Sequence, residues 1–280
     1  MLDPAGNVTA LVLSDVPAAE RAQVAARLLR LPELHIEQAA FLTAPRCGGE
    51  IRLEMMGGEF CGNALRCAGF YHALRTGAQG KTCVFAEISG AEGVQPVMAD
   101  TAAGEASTAM PLPRAVHPAD WPDVPAVCVT FDGITHFVID RAQPDDALVQ
   151  RAIAAAPEAS AVGAVFLDRA AGSIRPVVFV RETGSCVAET SCASGSVAAA
   201  VVLTADFADG ITEIGIGQPG GTLEVGVQRT HGAVTGLSIG GPVRLAQTLA
   251  VTLTDAAAAP GKPCIRKLCL HICAQSCSIL

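Results

Sequence analysis

The sequence predicts a two-domain α/β (α+β) fold, each domain a barrel-like β-sheet curled around one central, buried helix. Three observations carry this. Residues 64–74 and 197–203 are apolar runs opened by small residues, and a helix apolar on every side has to be buried. Around each run lie many short segments rich in β-branched residues and punctuated by Gly and Pro. With 280 residues the chain accommodates two domains of ordinary size.

In the first half, residues 8–13 read as a strand that follows the turn-like Pro4-Ala5-Gly6-Asn7. Residues 17–31 read as a helix with Pro17 near its first turn and charged residues on one side. Strands follow at 37–42 and 51–56, separated by Pro45 and the Gly48-Gly49 pair. A loop through Cys61 leads into a helix ending near Arg75, then strands at 83–88 and 94–99. The proline-rich Met110-Pro111-Leu112-Pro113 is the expected domain boundary.

The second half repeats the rhythm, with strands at 127–131, 135–140, 164–167 and 177–180 and a helix over about 145–155. After the helix that follows Cys192 come strands at 211–216, 223–227, 234–239 and 243–253. The expected domains are therefore 1–111, completed by a closing strand at about 243–255, and 112–242. Residues 256–280 break the rhythm. They carry Cys264, Cys269, Cys273 and Cys277 with His271, and are expected to lie outside the fold.

Composition narrows the function. A net charge of −8, a pI near 5.2, one Trp and one Tyr argue against a nucleic-acid surface. Mean hydropathy is high at +0.41, but it comes from Ala and Val, and no apolar run is long enough to span a bilayer. The start, Met1-Leu2-Asp3-Pro4, lacks the basic opening and apolar core of a secretory signal, so a cytoplasmic protein is expected. Eleven cysteines then read as free thiols in a reducing compartment, not a disulfide frame.

The chemistry concentrates in two echoing stretches, Met55-Met56-Gly57-Gly58-Glu59-Phe60-Cys61-Gly62-Asn63-Ala64 and Glu189-Thr190-Ser191-Cys192-Ala193-Ser194-Gly195-Ser196. In each, a cysteine stands just before a helix, where unpaired N–H groups and the helix dipole favour thiolate. A buried structural thiol is the bland alternative, yet both cysteines lie in Gly/Ser-rich loops, unlike Cys67 and Cys83 with their apolar neighbours. Two such thiols suit removal of an α-proton from one face of an amino acid and its return to the other. The two helix N-termini would hold the carboxylate and stabilise the charge that develops on it.

The first of these, Cys61-Gly62-Asn63-Ala64-Leu65-Arg66-Cys67, resembles the first-cysteine motif of the cofactor-independent racemases and epimerases of the diaminopimelate epimerase superfamily. Cys192-Ala193-Ser194-Gly195-Ser196 resembles their second, and Gly241-Pro242 their closing Gly-Pro. Asn7, Gln38 and His136 stand where that family has an N-terminal Asn, a Gln and the His ending a Gly-Asn-Pro-His loop. The resemblance runs over residues 3–253, and the family's opening strand has no counterpart before Asp3, which would leave the N-terminal sheet incomplete. Where diaminopimelate epimerases hold the distal end of their substrate with Asn residues and an Arg, this chain has Met55 (or Glu54), Ile134, Gly163 and Thr183. Gly57 to Asn63 and Ile134-Thr135-His136-Phe137 are more similar to the histidine racemases of staphylopine-type metallophore synthesis.

The resemblance implies racemisation of a free amino acid, histidine foremost, without pyridoxal phosphate, metal or other cofactor. Cys61 and Cys192 would be the catalytic pair, with Gly62, Asn63, Ser194 and Gly195 binding the carboxylate through N–H groups. Asn7 and Gln38 would orient the substrate, with His136 and Glu189 as further substrate-site groups. The expected partners are that small molecule and at most a second copy of the chain, with no nucleic acid and no membrane. Two other readings stay open: a diaminopimelate epimerase or proline-racemase-like isomerase, and a Cys-rich metal-binding or redox-switch protein. The tail is the attraction of the latter, although Cys-x4-Cys-x3-Cys-x3-Cys matches no common zinc spacing.

Overall fold

The computed structural model describes residues 7–254 and 265–274. The chain begins with β1 (Thr9–Val12), α1 (Ala18–Leu28), a 3-10 turn at Pro32–Leu34, β2 (Gln38–Thr43) and β3 (Ile51–Met55). Next come α2 (Gly62–Arg75), β4 (Lys81–Ile88), β5 (Gln95–Asp100) and β6 (Glu105–Ala109). Then follow β7 (Ala115–Pro118), β8 (Ala126–Thr130), β9 (Ile134–Asp140), α3 (Asp146–Ala155), β10 (Ala161–Asp168), β11 (Ser173–Val180) and β12 (Ser185–Ala188). The last elements are α4 (Ala193–Leu203), β13 (Gly210–Gln218), β14 (Gly221–Thr230), β15 (Ala233–Gly240), β16 (Arg244–Thr254) and β17 (Ile265–Ala274). The fold is thus mixed α+β, and it divides into two compact units, residues 7–106 with 242–254 and 265–274, and residues 107–241.

In the first unit the hydrogen-bonded order is β16-β17-β1-β2-β3-β4-β5, with β1–β2 and β3–β4 parallel and the other pairs antiparallel. Helix α2 is buried from Gly62 through Tyr71, and Leu65, Ala68 and Phe70 share a core with Leu11, Leu53, Ile88 and Val97. Helix α1 is amphipathic by comparison. Its Val24, Ala25 and Leu28 pack with Val8, Ala10, Val12 and Phe41. Strand β1 is therefore covered on both faces, and all four of its residues are buried.

In the second unit the order is β7-β8-β9-β10-β11-β13-β14-β15-β6, with β12 also on β11. Pairs β9–β10 and β11–β13 are parallel. Helix α4 is buried almost throughout and packs on β9, β10, β11, β13, β14 and β15. Helix α3 starts at Asp145, whose side chain accepts from the N–H groups of Ala147 and Leu148. It lays Leu148, Val149 and Ala152 on Phe137, Ile139 and Phe166. Among the described residues no helix is long and apolar enough to cross a membrane.

One expectation is corrected here. Residues 256–280 were expected outside the fold, but Ile265–Ala274 forms β17, paired along β16 on one side and β1 on the other. Leu270 is fully buried among Val12, Val24 and Leu253. The signal was period two in the sequence, with Leu268, Leu270 and Ile272 at alternate positions, a pattern the cysteine spacing masked. Cys264 and Cys277 lie outside the described residues. Strand β17 also pairs with the edge of β1 opposite β2. Strands β6, β7 and β12 were not anticipated either. Every residue of β7 and β12 is exposed, so neither carries the alternation that marks a half-buried strand.

A buried carboxylate organises the loop between β2 and β3. Glu87 on β4 accepts from the N–H groups of Arg46 (2.8 Å), Cys47 (2.6 Å) and Gly49 (2.9 Å) and from the Arg52 guanidinium (3.1 Å). Burial alone would raise its pKa, but these donors, the Arg46 N–H first, bring it down to about 2.

Two predictions follow from these contacts. Deleting residues 256–280 is expected to cost soluble, folded protein, and Leu270→Ala to lower unfolding free energy by about 2–5 kcal/mol in urea titrations. A truncated chain that unfolds at the full-length midpoint would show that β17 contributes nothing. For Glu87, the folded pKa lies below the ordinary 4.5, so the unfolded chain takes up the proton first as pH falls. Its stabilisation is complete above about pH 4.5 and is lost towards pH 2. Glu87→Gln is expected to be less stable at pH 7 and to show a shallower fall in stability across that window. An unchanged slope would exclude Glu87 as the source of acid sensitivity.

Candidate active site

In the first unit Cys61 is the N-cap of α2, extended at φ −134° and ψ 108°. Its carbonyl accepts from Leu65 N–H at 3.0 Å, but no side chain caps the helix and no acidic residue occupies its first turn. The first N–H groups of α2, those of Gly62 and Asn63 among them, therefore lack the usual side-chain acceptor and can serve an anion. The Cys61 thiol donates to Gln38 Oε1 at 3.2 Å. Gln38 is held in turn, its Nε2 donating to Thr9 Oγ1 at 2.7 Å and to Asn7 Oδ1. Asn7 adopts a left-handed φ of 54°, and its N–H donates to Glu37 Oε1 at 2.9 Å. Asn7, Gln38, Cys61, Gly62 and Asn63 thus come together at one end of α2. Asn63 is 1% exposed, and its Oδ1 has no hydrogen-bond partner among the described residues.

Two residues that sequence reasoning missed shape the Cys61 loop. Ser89 Oγ accepts from Met55 N–H at 2.8 Å and donates to the Glu59 carbonyl at 3.1 Å. Gly90, at φ 73°, approaches so closely that a Cβ there would lie 2.2 Å from Phe60 N. The only sequence signal was the turn-like Ser89-Gly90 pair after β4.

In the second unit Cys192 caps α4 in the same extended conformation, again without a side-chain cap. Its carbonyl accepts from Ser196 N–H (2.9 Å) and Oγ (2.8 Å), and its own N–H donates to Gln218 Oε1 at 2.6 Å. Gln218 had no sequence signature. Cys192 is only 5% exposed, and its sulfur lies 3.6 Å from Ser194 Oγ. Ser194 Oγ is in turn 2.9 Å from Nε2 of His136, a fully buried residue of β9. Glu189, Cys192, Ser194, Gly195 and His136 thus gather around the start of α4.

The electrostatics of Cys192 correct the expectation that a helix-start thiol is held as thiolate. Burial pushes its pKa well above the ordinary value, and the adjacent Glu189 carboxylate adds to the effect. The Gly195 N–H and the Ser194 hydroxyl pull the other way but do not prevail. The dipole argument was incomplete because it left out desolvation. Burial likewise lowers the pKa of His136 to about 4, so its ring is neutral near pH 7. Among the described residues no group of three or more His, Cys, Asp or Glu is placed to hold a metal ion.

Comparison with known proteins agrees with the fold. The chain is 28% identical over 261 residues to a histidine racemase of Fusobacterium nucleatum, covering 87% of this chain and 92% of that protein. A histidine racemase of Staphylococcus aureus is 27% identical over 263 residues, covering 88% and 94%. Among solved structures, a probable proline racemase from Agrobacterium radiobacter matches with a TM-score of 0.60 at 16% identity, covering 86% of this chain and 88% of its own. A hydroxyproline epimerase from Agrobacterium vitis matches at 0.59 and 14%, covering 86% and 87%. At such identities these two speak for the fold alone. The family model described as the histidine racemase CntK N-terminal domain matches residues 1–250, the span that holds Asn7, Gln38 and both helix-start cysteines, and the chain belongs to that family.

Proposed function

We propose that this chain interconverts L- and D-histidine through Cys61 and Cys192, with neither pyridoxal phosphate nor a metal. The observation that carries the reading is the repeated local design. Each cysteine occupies an N-cap position that ordinarily takes Ser, Thr, Asp or Asn, and each opens a buried helix with no acidic residue in its first turn. The N–H groups of Gly62, Asn63, Ser194 and Gly195 would hold the substrate carboxylate. As the α-proton leaves, negative charge moves onto that carboxylate, and donors fixed in advance stabilise it without reorganising. Asn7 and Gln38 orient the substrate, and Glu189 acts on the Cys192 side.

Racemisation needs one thiolate to take the proton and one thiol to return a proton to the opposite face, the two exchanging roles with direction. Burial and Glu189 hold Cys192 as a thiol, the form required of the acid. Histidine rests on the family and on the relatives named as histidine racemases. Met55 (or Glu54), Ile134, Gly163 and Thr183 stand where diaminopimelate epimerases have Asn residues and an Arg, which favours histidine over diaminopimelate. We place the enzyme in the cytoplasm, supplying D-histidine to opine-type metallophore synthesis.

The test is α-hydrogen exchange in deuterated water with no added cofactor, run over histidine, diaminopimelate and proline. Exchange with inversion is expected for histidine. Cys61→Ser and Cys192→Ser are each expected to lose at least about 100-fold in turnover while keeping the native circular dichroism. Retention of more than a few per cent of turnover by either variant would point to one-base chemistry, and exchange restricted to another amino acid would overturn the substrate.

A further inference from the structure

His136 lies on β9 directly across the parallel pair from Gly163 on β10. Its ring occupies the space where a side chain at 163 would stand. A Cβ built on Gly163 would come 2.1 Å from His136 Nδ1 and 2.6 Å from Cε1, closer than any contact permits. Only glycine leaves room for the ring there. Phe131 meets the imidazole edge-on, with ring centroids 6.1 Å apart and planes at 73°.

The neutral ring has one N–H and one lone pair to place. Nδ1 is buried with no partner among the described residues, while Nε2 faces Ser194 Oγ at 2.9 Å. A buried N–H without an acceptor costs more than a buried lone pair without a donor, and orphaned N–H groups are correspondingly rare. The proton therefore belongs on Nε2, which donates to Ser194 Oγ. With its oxygen already accepting from His136, the Ser194 hydroxyl has its own hydrogen free to turn to Cys192 Sγ, 3.6 Å away.

We infer that His136, seated in the space left by Gly163, fixes the Ser194 hydroxyl as a hydrogen-bond donor to Cys192 and so stabilises the Cys192 thiolate whenever it forms. The inference rests on the proposed racemase mechanism for its use, but not for its geometry. The donor offsets the influences that oppose the thiolate, which are burial of Cys192, the charge of Glu189 and the hydrogen bond between Glu189 and the sulfur. Around the imidazole, burial is the one influence on its titration, and its neighbours Val129 on β8, Gly163 on β10 and Phe131 are uncharged. His136 and Ser194 are positioning residues in this scheme, and no proton passes through the imidazole.

The experiment reads Cys192 itself, by the pH dependence of iodoacetamide alkylation at that residue in peptide mass spectrometry. In Ser194→Ala the pH of half-maximal alkylation is expected to rise by about one, the effect of losing a hydrogen bond to a charged group. Ser194→Thr keeps the hydroxyl and is expected to stay near the wild type. Gly163→Ala, which touches neither thiol, is expected to displace the ring and shift the profile in the same direction as Ser194→Ala. In turnover, Ser194→Ala is expected to lower kcat about tenfold with little change in KM. An alkylation profile unchanged in Ser194→Ala, or a Ser194→Thr profile as shifted as that of alanine, would overturn the inference. Alkylation needs no substrate, so failure of the histidine assay leaves this result readable, and failure here leaves the racemase reading standing.

Discussion

Burying α2 from Gly62 through Tyr71, and α4 over nearly its whole length, is the constraint from which the rest of the structure follows. A helix surrounded by sheet must be apolar on every side, and close approach of strands on several sides favours small residues. Hence the Ala, Gly and Cys of α2 and the Ala, Gly and Ser of α4. Arg66 is the large exception in α2. Its guanidinium is fully buried and donates to the carbonyls of Ala106 (2.7 Å) and Pro242 (3.3 Å), tying the helix to the segments that leave and re-enter the first unit. Where each helix begins, the ordinary solution would be a Ser or Asp cap, worth about 1 kcal/mol. Both helices have cysteine there instead, so a local stability rule is broken twice in the same way. Such departures mark places where function has outweighed stability.

The two thiols are not chemically equivalent. Cys61 faces a primary amide, Gln38, which is locked by Thr9 and Asn7 and carries no charge. Cys192 faces a carboxylate and a hydroxyl, with a buried neutral imidazole behind the hydroxyl. In the proposed racemisation the two thiols exchange roles with direction, but nothing requires their surroundings to be alike. What matters is that each can exist as thiol and as thiolate within one catalytic cycle. A buried sulfur beside a carboxylate meets that condition only if some donor offsets the desolvation of the thiolate.

Much of this was legible in the sequence, for identifiable reasons. The two apolar runs marked α2 to within two residues at each end and the close of α4, whose first turn of small residues precedes its run, because burial on every side leaves no other pattern to mistake them for. Most strands followed from β-branched segments between Gly and Pro. The paired Cys motifs placed Cys61 and Cys192 at the starts of the two helices, and Gln38 and Asn7 gather at Cys61. The failures are equally specific. Strand β17 was hidden because four cysteines drew attention from the alternation of Leu268, Leu270 and Ile272. The charge state of Cys192 was misjudged because a helix dipole is visible in sequence and burial is not. Ser89, Gly163 and Gln218 act on residues 26 to 34 positions away, and no local pattern records which strands will stand side by side.

The corrected tail also joins the fold to the candidate site. Thr9 is paired with Gln38 on β2 and with Cys273 on β17, at the same level of the sheet. Thr9 Oγ1 is one of the two acceptors that fix the Gln38 amide, and that amide is what the Cys61 thiol meets. A strand with one bare edge frays and pairs loosely, whereas one hydrogen-bonded on both sides holds its register. Strand β1 has only four residues, so its register depends on both neighbours. Beyond Val12 the same partnership continues, with Leu13 N–H donating to the Cys269 carbonyl and Cys269 N–H to Ser14 Oγ, each at 2.8 Å. The position of the Gln38 amide at Cys61 is therefore set partly by a strand some 230 residues further along the chain, through backbone pairing alone.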